Sequence, residues 1–348
     1  MPPKFQPAMT ITLILQEVLM VTMAGTLATV APSLVTFIFG DSLTEVGNNN
    51  YLRFSLARSD FPFYGIDYTN RKPTGRFSNG RTISDIISEK LGVSSPPPYL
   101  SLNHDDDVIL KGVNYASGGA GILNDTGIYF IQRISMDDQL GYFENTTMAI
   151  KKKIGEQPAN SLLHEAIYFI AIGSNDYINN YLQPFLPASR YTHPEFLGIL
   201  NLKLAQQLTR LYLLGARKMI VHGLGPLGCI PSQRAKSTTN QCLNLFEGTN
   251  GQINCALVYL KYPPRGVGGG EYFGGGFKVS NTSCCKVETV VGGLCLSYAH
   301  VCANRSEYVF WDAFHPSDAA NVVLADRFFS KLMGTSNFLT KSSSNHME

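Results

Sequence analysis

Short apolar, β-rich runs alternate along this chain with helical patterns, and that alternation restricts its fold more than any other feature. Leu34-Val-Thr-Phe-Ile-Phe39 ends at Gly40, and Ile167–Ile172 ends at Gly173. Lys218–Leu224 and Tyr308–Trp311 are further runs of the same kind. Between them, Thr82–Leu91 puts Ile83, Ile86, Ile87 and Leu91 on one helical face, with Gly92 placed as a stop. Pro194–Leu214 sets Leu197, Leu200, Leu204, Leu208 and Leu211 at helical spacing before Gly215, and a last helix is expected over 316–332, opening on Pro316. Pro96-Pro97-Pro98 forces an extended connection. Such a pattern predicts a layered α/β fold with a mostly parallel sheet. With no internal repeat and no linker, residues 32–335 read as one domain, and the Ser/Asn-rich tail 336–348 as disordered.

Composition excludes several classes. Of 348 residues, 44% are apolar and 16% charged, which is globular and not disordered usage. A net charge of +2 supplies no field that would favour nucleic acid as a partner, and Lys151-Lys152-Lys153 reads as a solvated face.

The N-terminus predicts secretion. Lys4 precedes an apolar stretch from Ile11 to Ala31, interrupted by Gln16 and Glu17, with small residues at Thr29-Val30-Ala31 as a cleavage site. Residues 1–31 are therefore expected to be a signal peptide, and no stable membrane insertion is expected. Sequons at Asn124, Asn145, Asn281 and Asn304 would accept N-glycans on that route. The seven cysteines lie at 229, 242, 255, 284, 285, 295 and 302. None forms a C-x-x-C pair, so disulfides are expected rather than zinc, with the connectivity open and one thiol left over.

Chemistry concentrates at strand ends, where open α/β sheets bind ligands. Gly40-Asp41-Ser42, Asn114–Gly121, Gly173-Ser-Asn175-Asp176 and Asp312-Ala-Phe-His315 are the four segments. Acyl transfer unites them. A serine needs a base, the base needs a carboxylate to orient it, and the oxyanion needs preset donors. Ser42, His315, Asp312, Gly119 and Asn175 offer one of each. Taken singly, each has a structural alternative: Ser42-Leu-Thr-Glu45 also fits a helix capping box, Gly119 a positive-φ position, Asn175 an ordinary turn residue, and His315 a structural histidine.

Phe37-Ile-Phe-Gly-Asp-Ser-Leu-Thr-Glu-Val-Gly-Asn-Asn-Asn50 resembles the opening block of plant GDSL esterase/lipases, a branch of the SGNH hydrolase superfamily. The likeness continues through Pro73–Arg81, Asn114–Gly121, Ile172–Tyr177, Gly225–Pro231 and Asn304–Pro316, in the family's order. The resemblance implies a flavodoxin-like three-layer α/β/α sandwich without metal or organic cofactor. It further implies Ser42 as nucleophile, His315 as base and then acid, Asp312 as its orienter, and an oxyanion hole from Ser42, Gly119 and Asn175. Glu45 stands where the matching block usually has Asp, a swap expected to have little effect. Gly223–Gly228 fits a dinucleotide fingerprint, but Pro226 and Pro231 obstruct a helix start there and the family block accounts for the segment. His104-Asp-Asp-Asp107 reads as a solvated loop.

The chain departs from the family after Asn254. A glycine-rich stretch, Arg265–Gly276, stands where a helix and strand would run, so one β-α unit is expected to be missing. The function expected is a secreted serine hydrolase of carboxylic esters, lipid esters among them. Two alternatives stay open: a glycosylated extracellular binding protein of impaired catalysis, and an acyltransferase using the same acyl-enzyme.

Overall fold

The computed structural model describes residues 34–103, 106–239, 241–243, 276–287 and 293–334. The expected signal peptide, the tail, His104, Cys255 and most of the departure after Asn254 lie outside these residues.

Strands β1 (Thr36–Gly40), β2 (Gly112–Asn114), β3 (Ile167–Ala171) and β4 (Lys218–His222) form a parallel sheet in the order β2-β1-β3-β4. These are the first four positions of a flavodoxin-like sheet, and its order reverses between β1 and β3. Among the described residues nothing pairs with the outer edge of β4, where a fifth strand would lie.

The helices are α1 (Ile83–Lys90), α2 (Met136–Ile154), α3 (Glu156–Glu165), the single turns α4 (Ser174–Asp176) and α6 (Pro231–Arg234), α5 (His193–Leu213) and α7 (Asp318–Gly334). Side chains alternate across each strand, so one sheet buries two faces. Phe37, Phe39, Tyr168 and Ile170 pack with Phe143 of α2, Leu163 of α3 and Leu200 of α5. Ile38, Ile167, Phe169 and Ala171 pack with Ile86 of α1 and Ala325 of α7. The result is a three-layer α/β/α sandwich. Its aromatic centre is dense: the Phe143 ring lies 5.1 Å from Phe37, 5.6 Å from Phe39 and 5.5 Å from Tyr168. Each such side chain contributes roughly 1.5–3 kcal/mol by leaving water.

The expected elements appear with ends shifted by at most two residues. Thr82 caps α1 through a reciprocal pair with Asp85, and Gly92 takes φ +72° past its end. Helices α2 and α3 were not anticipated, because Met136–Glu165 is polar over most of its length and buries only a narrow stripe.

One strand is corrected. Among the described residues, Tyr308–Phe310 (β8) does not pair with the central sheet; it pairs in parallel with β5 (Val279–Ser283), a strand not anticipated from sequence. An apolar run reports extended backbone but not its partner. Beside this pair, β6 (Cys285–Lys286) meets β7 (His300–Val301) antiparallel. Disulfides Cys284–Cys302 and Cys285–Cys295 staple this region, and Cys229–Cys242 closes the segment after β4. No helix among the described residues is long and apolar enough to cross a membrane.

Candidate active site

The site begins at the end of β1. Gly40 holds φ +148°, and a Cβ there would lie 2.1 Å from the Ala171 carbonyl oxygen, so only glycine lets β1 and β3 stay this close. The buried Gln139 carboxamide accepts from the Gly40 N–H at 2.9 Å and donates to its carbonyl at 2.8 Å. That clamp aims the following turn, and Ser42 stands on it.

Ser42 Oγ lies 2.8 Å from His315 Nε2. His315 Nδ1 faces both Asp312 oxygens, at 2.9 and 2.8 Å. The Asp312 carboxylate also accepts the N–H groups of Phe314 and His315, each at 2.8 Å, and the Tyr64 hydroxyl at 2.6 Å. With so many donors on the carboxylate, the Nδ1 proton belongs between His315 and Asp312, which leaves Nε2 as an acceptor toward Ser42. Phe77 lies across the imidazole with ring centres 4.9 Å apart. The capping-box alternative does not describe Ser42. The Glu45 carboxylate accepts the N–H groups of Asn49 (2.5 Å) and Gly118 instead.

Gly119 follows β2 at φ +81°, with the Phe130 ring 2.5 Å from where a Cβ would sit. Asn175 follows β3 on α4; its amide donates to the Ala120 carbonyl at 2.9 Å and its oxygen accepts from Asn179. Neither the Ser42 nor the Gly119 N–H is engaged by another described residue. Asp176 ties the two loops, accepting from the Ile122 and Leu123 N–H groups at 2.7 and 3.0 Å and from Thr126 Oγ1 at 2.7 Å. All five residues singled out in the sequence therefore converge, from loops after β1, β2, β3 and β8.

The ground beneath them is buried and acidic. Burial pushes the Asp41 carboxyl up to about 7; one oxygen accepts the Leu43 N–H at 2.9 Å and the other has no partner among the described residues. Burial likewise raises Glu45 to about 8 and Asp176 to about 6. The Tyr64 phenol is pushed well above its usual range, first by burial and then by the Asp312 charge, so it remains a donor.

A cavity of about 400 Å³ opens over Ser42 and His315, a size suited to a small organic ligand. Leu43, Phe130, Ile178, Leu227, Ile230 and Phe314 supply much of its apolar wall. Gly225, Pro226 and Leu227 of the fingerprint-like segment belong to that wall and continue into a short 3-10 turn, not a phosphate-binding helix.

Sequence reasoning missed the supports. Tyr64 and Gln139 carry no local signal, since each acts on a residue far along the chain, and Glu45 was singled out only in a capping box and as a swap within a block. The Asn48-Asn49-Asn50 run was visible only as part of a block. Its side chains bond three separate loops: Asn48 the Asn114 and Ala116 carbonyls at 2.9 Å, Asn49 the Ala57 and Gly118 carbonyls at 2.7 and 3.0 Å, and Asn50 the Thr74 carbonyl at 3.0 Å.

Comparison with known proteins identifies the family. The family model described as GDSL-like Lipase/Acylhydrolase matches residues 36–328. The Arabidopsis thaliana protein named GDSL esterase/lipase At5g37690 is 54% identical over 336 residues, covering 90% of this chain and 94% of that protein. GDSL esterase/lipase At1g74460 of the same plant is 44% identical over 313 residues, covering 84% and 86%. A match across nearly the whole chain, over the blocks that build the site, makes this protein a member of the GDSL-like lipase/acylhydrolase family, and with it a hydrolase acting on ester bonds.

Proposed function

We propose that the protein cleaves carboxylic esters, including lipid esters, through an acyl intermediate on Ser42. The observation that carries this reading is the 2.8 Å contact between Ser42 Oγ and His315 Nε2, with Asp312 behind the ring. Ser42 Oγ attacks the ester carbonyl carbon while its proton passes to Nε2. The imidazolium formed is stabilised by the Asp312 carboxylate and returns that proton to the leaving alcohol. The oxyanion is received by the N–H groups of Ser42 and Gly119 and by the second amide hydrogen of Asn175. Water, activated by His315 in turn, attacks the acyl carbon and frees Ser42.

The apolar cavity favours an acyl or alcohol portion of hydrocarbon character. The complete set of five residues favours catalysis over a binding protein of the same fold. Secretion is supported by the N-terminal pattern, by three disulfides, and by exposure of all four sequon asparagines, Asn124, Asn145, Asn281 and Asn304.

Hydrolysis of short- and medium-chain p-nitrophenyl esters by purified wild type and Ser42→Ala tests the reading, with a fluorophosphonate probe as a second readout. Activity and labelling that both vanish in the variant are expected. A folded wild type no faster than Ser42→Ala would overturn it. Sensitivity of the secreted product to an N-glycosidase checks the route.

A further inference from the structure

Beside the cavity mouth two loops leave large apolar side chains in solvent. Tyr51, Phe54 and Leu56 come from the first, and Ile128, Tyr129 and Ile131 from the second, with exposures from 37% at Tyr129 to 61% at Leu56 and Ile131. The loops run together: the Leu56 N–H donates to the Phe130 carbonyl at 3.0 Å, and the Phe54 N–H to Gln132 Oε1 at 2.7 Å. A contiguous patch of this kind is uncommon on a soluble monomer and marks a surface with a task.

Its backbone points the same way. Ile131 holds φ +66°, a region that β-branched residues avoid, while its side chain stands exposed. Nothing in a packed core requires that side chain to be there. The patch is also continuous with the site, since Ala57, Tyr129 and Phe130 of the same loops line the cavity that contains Ser42.

The two loops themselves carry only basic charge, with Asp60 and Asp125 flanking them. Residues 51–58 and 127–133 hold Arg53, Arg58 and Arg133 and no carboxylate. Arg58 is paired with Asp60, and Arg133 donates to the Thr126 and Asn124 carbonyls. Arg53 is exposed, with its guanidinium 5.3 Å from the centre of the Phe54 ring. An apolar surface carrying an outward arginine suits the boundary between a lipid phase and water, where rings enter the acyl layer and the guanidinium meets anionic headgroups.

We infer that the 51–56 and 128–131 loops form a docking surface for an ester-bearing lipid–water interface, which seats the enzyme with its cavity mouth toward the substrate phase. This rests on the ester-hydrolase reading and adds the physical state of the substrate. A protein partner or a second copy seated on the patch would press against the cavity mouth, whereas a lipid surface feeds it.

The test compares one enzyme on dissolved and dispersed esters. Phe54→Asp/Ile128→Asp alters only exposed side chains and is expected to keep the p-nitrophenyl acetate rate within about twofold. It should lower the rate on emulsified tributyrin by about tenfold or more, since apolar area no longer enters the interface. Independently of catalysis, Ser42→Ala should co-sediment with phosphatidylcholine vesicles containing phosphatidylglycerol, and lose this when the two aspartates are added. Equal losses on both substrates, or an unchanged emulsion rate, would overturn the proposal. So would a dimer in light scattering that the same double substitution dissolves. If wild type fails on p-nitrophenyl acetate the hydrolase reading falls, while the vesicle experiment still decides whether the patch binds lipid.

Discussion

The two halves of the catalytic site reach one point by different means. Ser42 stands at the end of a central strand buried on both faces, and hydrogen bonds from Gln139, Glu45 and Asn49 hold its surroundings. Asp312 and His315 follow a strand that belongs to a two-stranded sheet of its own, near two disulfides. Their anchor is a relay: the Cys295 N–H donates to Tyr64 Oη at 3.0 Å, and Tyr64 donates to Asp312. The Pro73–Arg81 block joins the halves. Phe77 covers His315, Asn79 accepts the Asp318 N–H at 2.8 Å, and Arg81 pairs with Asp318 at 3.0 Å. A nucleophile can thus be set by a hydrophobic core, whereas the base here depends on covalent cross-links and one buried phenol.

The sharpest way to break the site is at its carboxylate. Asp312→Asn keeps the shape but presents a donor where His315 Nδ1–H needs an acceptor; kcat should fall by about 10³–10⁴-fold, read on p-nitrophenyl esters. Next come the two anchors themselves. Gln139→Leu would strand the buried Gly40 N–H, while the Gly40 carbonyl keeps the Ser117 N–H at 3.1 Å, costing roughly 1–3 kcal/mol in urea unfolding. Replacing Cys285 and Cys295 together by serine should cost about 2–3 kcal/mol. If the halves are anchored as described, mild reductant destabilises Gln139→Leu, which keeps the Cys285–Cys295 bridge, as much as it does wild type, and destabilises the cysteine variant less. Equal sensitivity of both to reductant would remove the distinction.

Tyr64→Phe removes one donor from Asp312 without emptying the space. A loss of about 1 kcal/mol in the transition state, or roughly fivefold in kcat, is expected, with KM unchanged. A pH-dependent effect belongs to Asp41. Its carboxyl titrates near 7 in the fold against an ordinary 3.8, so the folded state keeps a proton that the unfolded chain releases between those values. Stability from this group is complete below about pH 4 and is lost as pH rises through 7. Asp41→Asn should flatten that part of the pH dependence in thermal melts and raise the melting temperature at pH 8 relative to wild type. An unchanged slope from pH 4 to 8 would show that Asp41 does not carry it.

Glu45 shows where local reading stopped. From sequence it was a charge-preserving swap; in the fold its buried carboxylate joins the turn after Ser42 to Gly118, the neighbour of an oxyanion donor. A shorter side chain would have to draw those loops together to keep both bonds. No pattern along the chain discloses this, because Glu45 and Gly118 are 73 residues apart.

What the sequence by itself determined is local. Alternating apolar runs specified β1, β3 and β4, helical spacing specified α1 and α5, and the residues after each strand named Ser42, Gly119, Asn175, Asp312 and His315. These follow from backbone geometry and side-chain chemistry within a few residues. Tertiary structure decided the rest: that β8 pairs with β5 and, among the described residues, not with the central sheet, how six cysteines pair, and which buried groups hold the catalytic loops. Such contacts join residues up to 248 positions apart, as between Tyr64 and Asp312. They form because a buried donor or acceptor must find a partner in the packed chain, wherever along the sequence that partner comes from.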